Sequence, residues 1–158
     1  MVTRTDTDNG MVKKHVNLLY KELSYEIRGV AIEVKKNYGP GHKEVLYQRA
    51  FAEELRLRGI SYQREKSIKV YSPKTKKVIG SYQPDFIVED KIIIELKALE
   101  QMPRRMIDQL YSYLRNSEYE LGFLINFRSG GVDIKRVIYT NDRKKHIQPK
   151  TGTRPRSQ

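Results

Sequence analysis

Two carboxylates and a lysine stand out in the stretch Gln83-Pro84-Asp85-Phe86-Ile87-Val88-Glu89-Asp90-Lys91-Ile92-Ile93-Ile94-Glu95-Leu96-Lys97-Ala98. Two β-type runs flank the charged, turn-compatible Glu89-Asp90-Lys91. With those three residues as a hairpin loop, Val88 opposes Ile92, Phe86 opposes Ile94 and Pro84 opposes Leu96. The even positions of both runs are then apolar and make one buried face. A slip by one residue would mix the faces, so the pattern specifies its own register. The odd face carries Asp85 directly across from Glu95, with Cβ atoms about 4.5–5.5 Å apart, and Lys97 two residues further along. Carboxylates that close repel unless a positive charge sits between them. A divalent cation meets that need, since Mg²⁺ takes hard oxygen ligands at about 2.0–2.1 Å and keeps several waters. Lys97 could orient or activate water, or stabilise charge building on a phosphate. The three residues could equally form an ion triad on an exposed sheet face. Ile87 and Ile93 interrupt the charges, however, and predict a partly covered cleft.

Glu44 lies three residues before Tyr47 and seven before Phe51, on the helical face that points at the core. A carboxylate there is costly unless paired or bound to metal; it could also serve the helix dipole from the first turn. Arg104 and Arg105 begin a helix, where positive charge opposes the dipole, and a bound phosphate would give them a reason. Lys66, Lys69, Lys74, Lys76 and Lys77 crowd one hairpin, suited to phosphate contacts or to protecting an edge. The eleven tyrosines could stack on bases, although core and rim positions account for more of them. His15, His42 and His146 show no mutual metal-ligand spacing, and only His42 is near enough to Glu44 to enter its site.

The elements that must position these residues can be read along the chain. A helix from Val16 places Leu19, Leu23, Ile27, Val30 and Val34 on one stripe and stops at Gly39-Pro40-Gly41. A second helix, about Lys43 to Arg58, carries Tyr47, Ala50, Phe51 and Leu55, with Gly59 as its cap. Strands are expected at Ser67–Tyr71, at Val78–Val88 with an interruption at Pro84, and at Ile92–Ala98. Pro103 suits the first turn of a third helix running to about Asn116, with Ile107, Leu110 and Leu114 inward. Leu121–Phe127 and Val132–Tyr139 are two further strands. The order α-α-β-β-β-α-β-β predicts an α/β or α+β arrangement around one sheet.

At 158 residues the chain has room for one core, expected at 15–140, between a flexible N-terminus (1–14) and a solvated basic tail (141–158). Lys and Arg exceed Asp and Glu by 12, which makes a polyanion the first partner to test. Of this excess, +7 falls in residues 135–158, which hold eight Lys or Arg and one Asp. The remainder of the chain is therefore only mildly basic. The absence of cysteine excludes disulfide scaffolds, zinc ribbons and thiol nucleophiles. No stretch approaches the roughly 18 apolar residues of a membrane span, and Met1–Gly10 has no apolar signal core. The expectation is a soluble, cytoplasmic protein without membrane contact.

Gly41-His42-Lys43-Glu44-Val45-Leu46-Tyr47 reads G-x-x-E-x-x-Y, followed by Pro84-Asp85 and then Glu95-Leu96-Lys97. This ordered set resembles the GxxExxY proteins, a branch of the PD-(D/E)xK nuclease superfamily, over about residues 20–140. The resemblance implies a restriction-endonuclease-like core, a central mixed β-sheet flanked by helices. It implies Glu44, Asp85 and Glu95 as metal-binding acids, the Leu96 carbonyl as a further ligand, Lys97 as the catalytic lysine and Mg²⁺ or Mn²⁺ as cofactor. Gln109 and Tyr113 resemble the Q-x-x-x-Y helix motif that lies beside the active site in the RecB-type branch; four apart, they share a helix face. Arg104, Arg105, Lys66 and Lys69 are the matching candidates for nucleic-acid contacts. The chain departs from the branch at Arg128-Ser129-Gly130-Gly131, a loop that does not touch the proposed chemistry. The function implied is metal-dependent hydrolysis of phosphodiester bonds, in DNA ahead of RNA, of a repair, recombination or defence type. The alternatives are a non-catalytic nucleic-acid-binding module, or a subunit active only with a protein partner. A homodimer is compatible with all three, and endo versus exo cutting stays open.

Overall fold

The computed structural model describes residues 19–147. The expected flexible stretch 1–14, the helix start at Val16, His15 and the tail from 148 lie outside them. The first helix, α1 (Lys21–Tyr38), buries Ile27, Val30, Ala31 and Val34, the spacing of one helical stripe. It begins later than its stripe suggested: Leu19 and Tyr20 form a turn, with Tyr20 in a left-handed conformation. Helix α2 (Glu44–Leu57) buries Tyr47, Ala50, Phe51 and Leu55 as expected. Gly59, at φ 69°, follows its end, a conformation that favours glycine.

A five-stranded sheet lies beside these helices in the order β1-β4-β5-β6-β7: β1 (Tyr62–Arg64), β4 (Phe86–Val88), β5 (Ile92–Lys97), β6 (Leu121–Arg128) and β7 (Gly131–Ile138). All neighbours are antiparallel except β5 and β6, which run parallel and are joined through α3 (Arg104–Arg115). A separate hairpin pairs β2 (Ile68–Tyr71) with β3 (Val78–Tyr82). The sheet is covered on both sides. Phe86, Val88, Ile92, Ile94 and Leu96 join α1 and α2 in one cluster. Ile87, Ile93, Leu124 and Val137 join Leu110 and Leu114 of α3, with Ile68 of the hairpin, in a second. Two-sided burial explains why Ile92-Ile93-Ile94 and Leu121–Ile125 carry no polar side chain.

Several expectations need correction. The single strand expected over Val78–Val88 is two strands in two sheets. Pro84 has no N–H to continue a ladder, and at Gln83-Pro84-Asp85 the chain leaves the hairpin for the central sheet. Strand β1 was not foreseen, because three half-exposed residues carry no period. Pro103 stands just before α3 rather than in its first turn. The first part of the expected tail is not solvated. Lys144 is only 6% exposed, and its ammonium donates to the Ser117 and Tyr119 carbonyls and to Asn141 Oδ1. His146 stacks on Tyr71 at 5.4 Å between ring centres, and its Nε2 lies 3.3 Å from the Ser117 carbonyl. No helix among the described residues is long and apolar enough to cross a membrane.

Candidate active site

The β4–β5 hairpin has the expected register, with Phe86 against Ile94 and Val88 against Ile92. Glu89 and Asp90, both at positive φ, turn the loop. Positive φ is costly for such residues, and side chains hold the turn in place: Glu89 Oε1 accepts the Ser61 N–H at 3.0 Å, and Asp90 Oδ1 accepts the Tyr119 hydroxyl at 2.8 Å. One step beyond the last ladder pair, side chains take over from backbone. Asp85 Oδ2 accepts the Leu96 N–H at 2.8 Å, and Glu95 Oε1 accepts the Asp85 N–H at 3.3 Å. The two carboxylates therefore meet across the strands, as the pattern requires. Ile87 and Ile93, on the same face, are buried under α3 and the β2–β3 hairpin, so the acids sit at the mouth of a covered cleft.

Burial, then the neighbouring Asp85 charge, pushes Glu95 up to about 7. Burial also raises Asp85, against the Leu96 N–H, Lys97 and Arg64, which all favour its ionised form. Both shifts are upward, and the two groups are coupled through their charges, so they titrate as a pair. Glu44, the first residue of α2, is raised by burial and by Asp85 and lowered by Lys97 and by Gln48, whose Nε2 donates to it at 3.2 Å. Among the described residues, the Lys97 charge favours the ionised form of all three acids. Among the described residues, no group of three or more acids, histidines or cysteines is placed to hold a metal ion. Asp85 and Glu95 are the pair in contact; Glu44 faces them through space and does not complete a cage, against the expectation of three converging ligands. The donor set nevertheless suits a hard cation. Asp85 Oδ1 and Glu95 Oε2 accept no hydrogen bond from the described residues, which leaves one oxygen of each carboxylate for it.

The remaining motif residues have distinct positions. Tyr47 is fully buried, its hydroxyl donates to the Gly39 carbonyl at 2.7 Å and its ring stacks on Phe127 at 4.4 Å. It also lies 3.4 Å from the His42 N–H, so it ties down the loop through Gly41, whose φ of 86° favours glycine. The G-x-x-E-x-x-Y spacing accordingly fixes where α2 starts and makes Glu44 its first residue. His42 does not enter the site; its Nε2 lies 2.7 Å from the Tyr38 carbonyl. Tyr113 reaches the acids indirectly: its ring stacks on Tyr82 at 3.7 Å, and the Tyr82 hydroxyl donates to Glu95. Gln109 is exposed and meets only Tyr113, at 3.4 Å. Arg104, Arg105 and Lys69 are exposed, and Lys66 is 3.9 Å from Asp90; none of the four forms an ion pair with Glu44, Asp85 or Glu95.

Sequence reasoning missed Tyr82, Gln48 and Arg64. The chain crossing at Pro84 removed any strand parity that would have assigned Tyr82 to the site. Gln48 lies four residues after Glu44, a spacing that could have revealed it. Arg64, which donates to Gln48 Oε1 at 3.0 Å, lies on the unforeseen β1.

A family model described as the PD-(D/E)XK nuclease superfamily matches residues 21–137. The chain belongs to the PD-(D/E)XK nuclease superfamily. The matched span contains Glu44, Asp85, Glu95 and Lys97, and its mixed sheet flanked by helices is the restriction-endonuclease-like architecture. Among solved structures, this nuclease domain is similar to an alkaline exonuclease from Laribacter hongkongensis at 15% identity and a TM-score of 0.44. The similarity covers 61% of this chain and 56% of that one, so the superfamily domain spans little more than half the exonuclease's length. No curated protein matches the chain.

Proposed function

We propose that this protein is a divalent-metal-dependent nuclease of the GxxExxY branch, which uses Mg²⁺ or Mn²⁺ to hydrolyse phosphodiester bonds in nucleic acid, DNA ahead of RNA. The observation that carries the reading is that Asp85 and Glu95 are tied across the strands by hydrogen bonds to backbone N–H groups, with the Lys97 charge in reach of both and of Glu44. Asp85, Glu95 and the Leu96 carbonyl would hold the ion, and Glu44 would act on it through a retained water. A bound ion supplies a seat for the scissile phosphate and an activated water. Lys97 offers an ammonium donor to the phosphate oxygens, where charge builds as water adds to phosphorus. Tyr82, braced by Tyr113, holds Glu95 in position. Arg104, Arg105, Lys66 and Lys69 would contribute backbone contacts outside the cleft.

The test is a panel of single-stranded, double-stranded and branched DNA and RNA, each with Mg²⁺, Mn²⁺ or EDTA. Cleavage that needs the metal and is lost in Asp85→Ala and Lys97→Ala supports the reading; activity that survives both substitutions sinks it. A second reading is a nucleic-acid-binding module without turnover, or a subunit needing a protein partner. It draws on Glu44 standing apart from the pair, and it predicts salt-sensitive binding without cleavage in any metal.

A further inference from the structure

A groove of about 880 Å³ lies beside the acid cleft, separate from it. It runs along α2 from the 38–43 loop to β1, the edge strand of the sheet. Its cations are Lys43, Arg49, Arg56 and Arg64, against one acid, Glu53. Glu53 already accepts the Tyr38 hydroxyl at 3.4 Å. Lys43, Arg49 and Arg56 form no ion pair among the described residues, whereas Arg58, just outside, bridges both Glu54 and Glu26. Arg49 and Arg56 are seven residues apart on one helical face, about 10 Å along the axis. Between these charges the lining is apolar or aromatic, from Val45, Leu46, Ala50, Tyr38 and Tyr62.

The groove adjoins the catalytic acids. Lys43 and Val45, which line it, flank Glu44 in sequence. Arg64 lines it as well, donates to Gln48, the side chain bonded to Glu44, and lowers the pKa of Asp85 by its charge. We infer that this groove seats a single strand of nucleic acid and leads it to the acid cleft. The inference rests on the nuclease reading for the cleft itself. Unpaired cations on the rim suit phosphates, and an apolar, aromatic floor suits exposed base faces. A duplex hides those faces, and a cavity within the roughly 300–1,000 Å³ range of small-ligand sites is too small to admit one. DNA and RNA strands share this chemistry.

The test uses the full chain in EDTA, which prevents cleavage, with fluorescent single-stranded DNA, single-stranded RNA and duplex DNA. Single strands should bind more tightly than duplex. Arg49→Ala combined with Arg56→Ala should weaken single-strand binding by at least about tenfold and flatten its salt dependence by about two phosphate contacts. Arg49→Lys with Arg56→Lys should retain most of the binding, which separates lost charge from lost fold. A difference between the DNA and RNA arms names the preferred strand. Unchanged single-strand binding in the double alanine variant overturns the inference, as does duplex preference in the parent. So does a homodimer, seen by sedimentation, that the same variant dissociates while oligonucleotide binding is absent. Groove-dependent binding without cleavage in any metal would leave the inference standing and refute the nuclease reading instead. Cleavage of duplex without single-strand binding would do the reverse.

Discussion

Glu95→Gln should make the metal-free protein more stable at neutral pH while abolishing metal-dependent cleavage. Gln keeps the shape of Glu and an oxygen for the Tyr82 hydroxyl and the Asp85 N–H. It removes a charge that burial and Asp85 disfavour, pushing the group from 4.5 to about 7. At about 1.4 kcal/mol per pH unit, that gap is worth at most about 3.5 kcal/mol, and relaxation of the open cleft brings the expected gain to ~1–3 kcal/mol. The sign follows from linkage. A carboxyl raised in the folded state stabilises fully below about 4.5 and loses that contribution as pH rises through about 7. The gain of the variant should therefore be near zero at pH 4.5, grow between pH 5 and 7, and level off above. Urea unfolding of both proteins in EDTA across pH 4.5–8 measures it. Saturating Mg²⁺ should then stabilise the parent and not the variant. A variant less stable than the parent at pH 8, or a gap that ignores pH, would refute the argument that Glu95 is an uncompensated buried charge.

Other substitutions probe the supports. Tyr82→Phe removes the hydroxyl that holds Glu95 and should lower metal-dependent cleavage by about 10–100-fold, read from initial rates, with the fold intact by circular dichroism. Tyr47→Phe keeps the stack on Phe127 but leaves the Gly39 carbonyl without its donor, which should cost about 1–2 kcal/mol in urea unfolding. Lys144→Met strands the Ser117 and Tyr119 carbonyls and should cost about 2–3 kcal/mol, measured by thermal unfolding. Truncation after residue 147 should weaken nucleic-acid binding chiefly at low salt, because the removed segment carries Lys150, Arg154 and Arg156 and no acid. Binding isotherms at two salt concentrations check it.

By itself the sequence determined the parts of this protein that depend on local pattern. The alternation over Pro84–Ala98 admits one hairpin register, because a slip of one residue would turn Asp85, Glu95 and Lys97 into the core. The stripes of α1 and α2 and the apolar runs Ile92–Ile94 and Leu121–Ile125 likewise announced their burial. The tertiary structure alone decided what comes to those acids from elsewhere. Tyr82 bonds Glu95 only because the chain crosses between sheets at Pro84, and Arg64 acts on Asp85 only because a three-residue edge strand docks against β4. The distance of Glu44 from the pair is likewise set by how α2 packs on the sheet, not by the spacing of its motif. Lys144 is held in the fold by carbonyls more than twenty residues away in sequence. Periodicity reports which face of an element is buried. It carries no record of which distant backbone or side chain meets that face, since such contacts form between elements whose separation along the chain bears no relation to their distance in space.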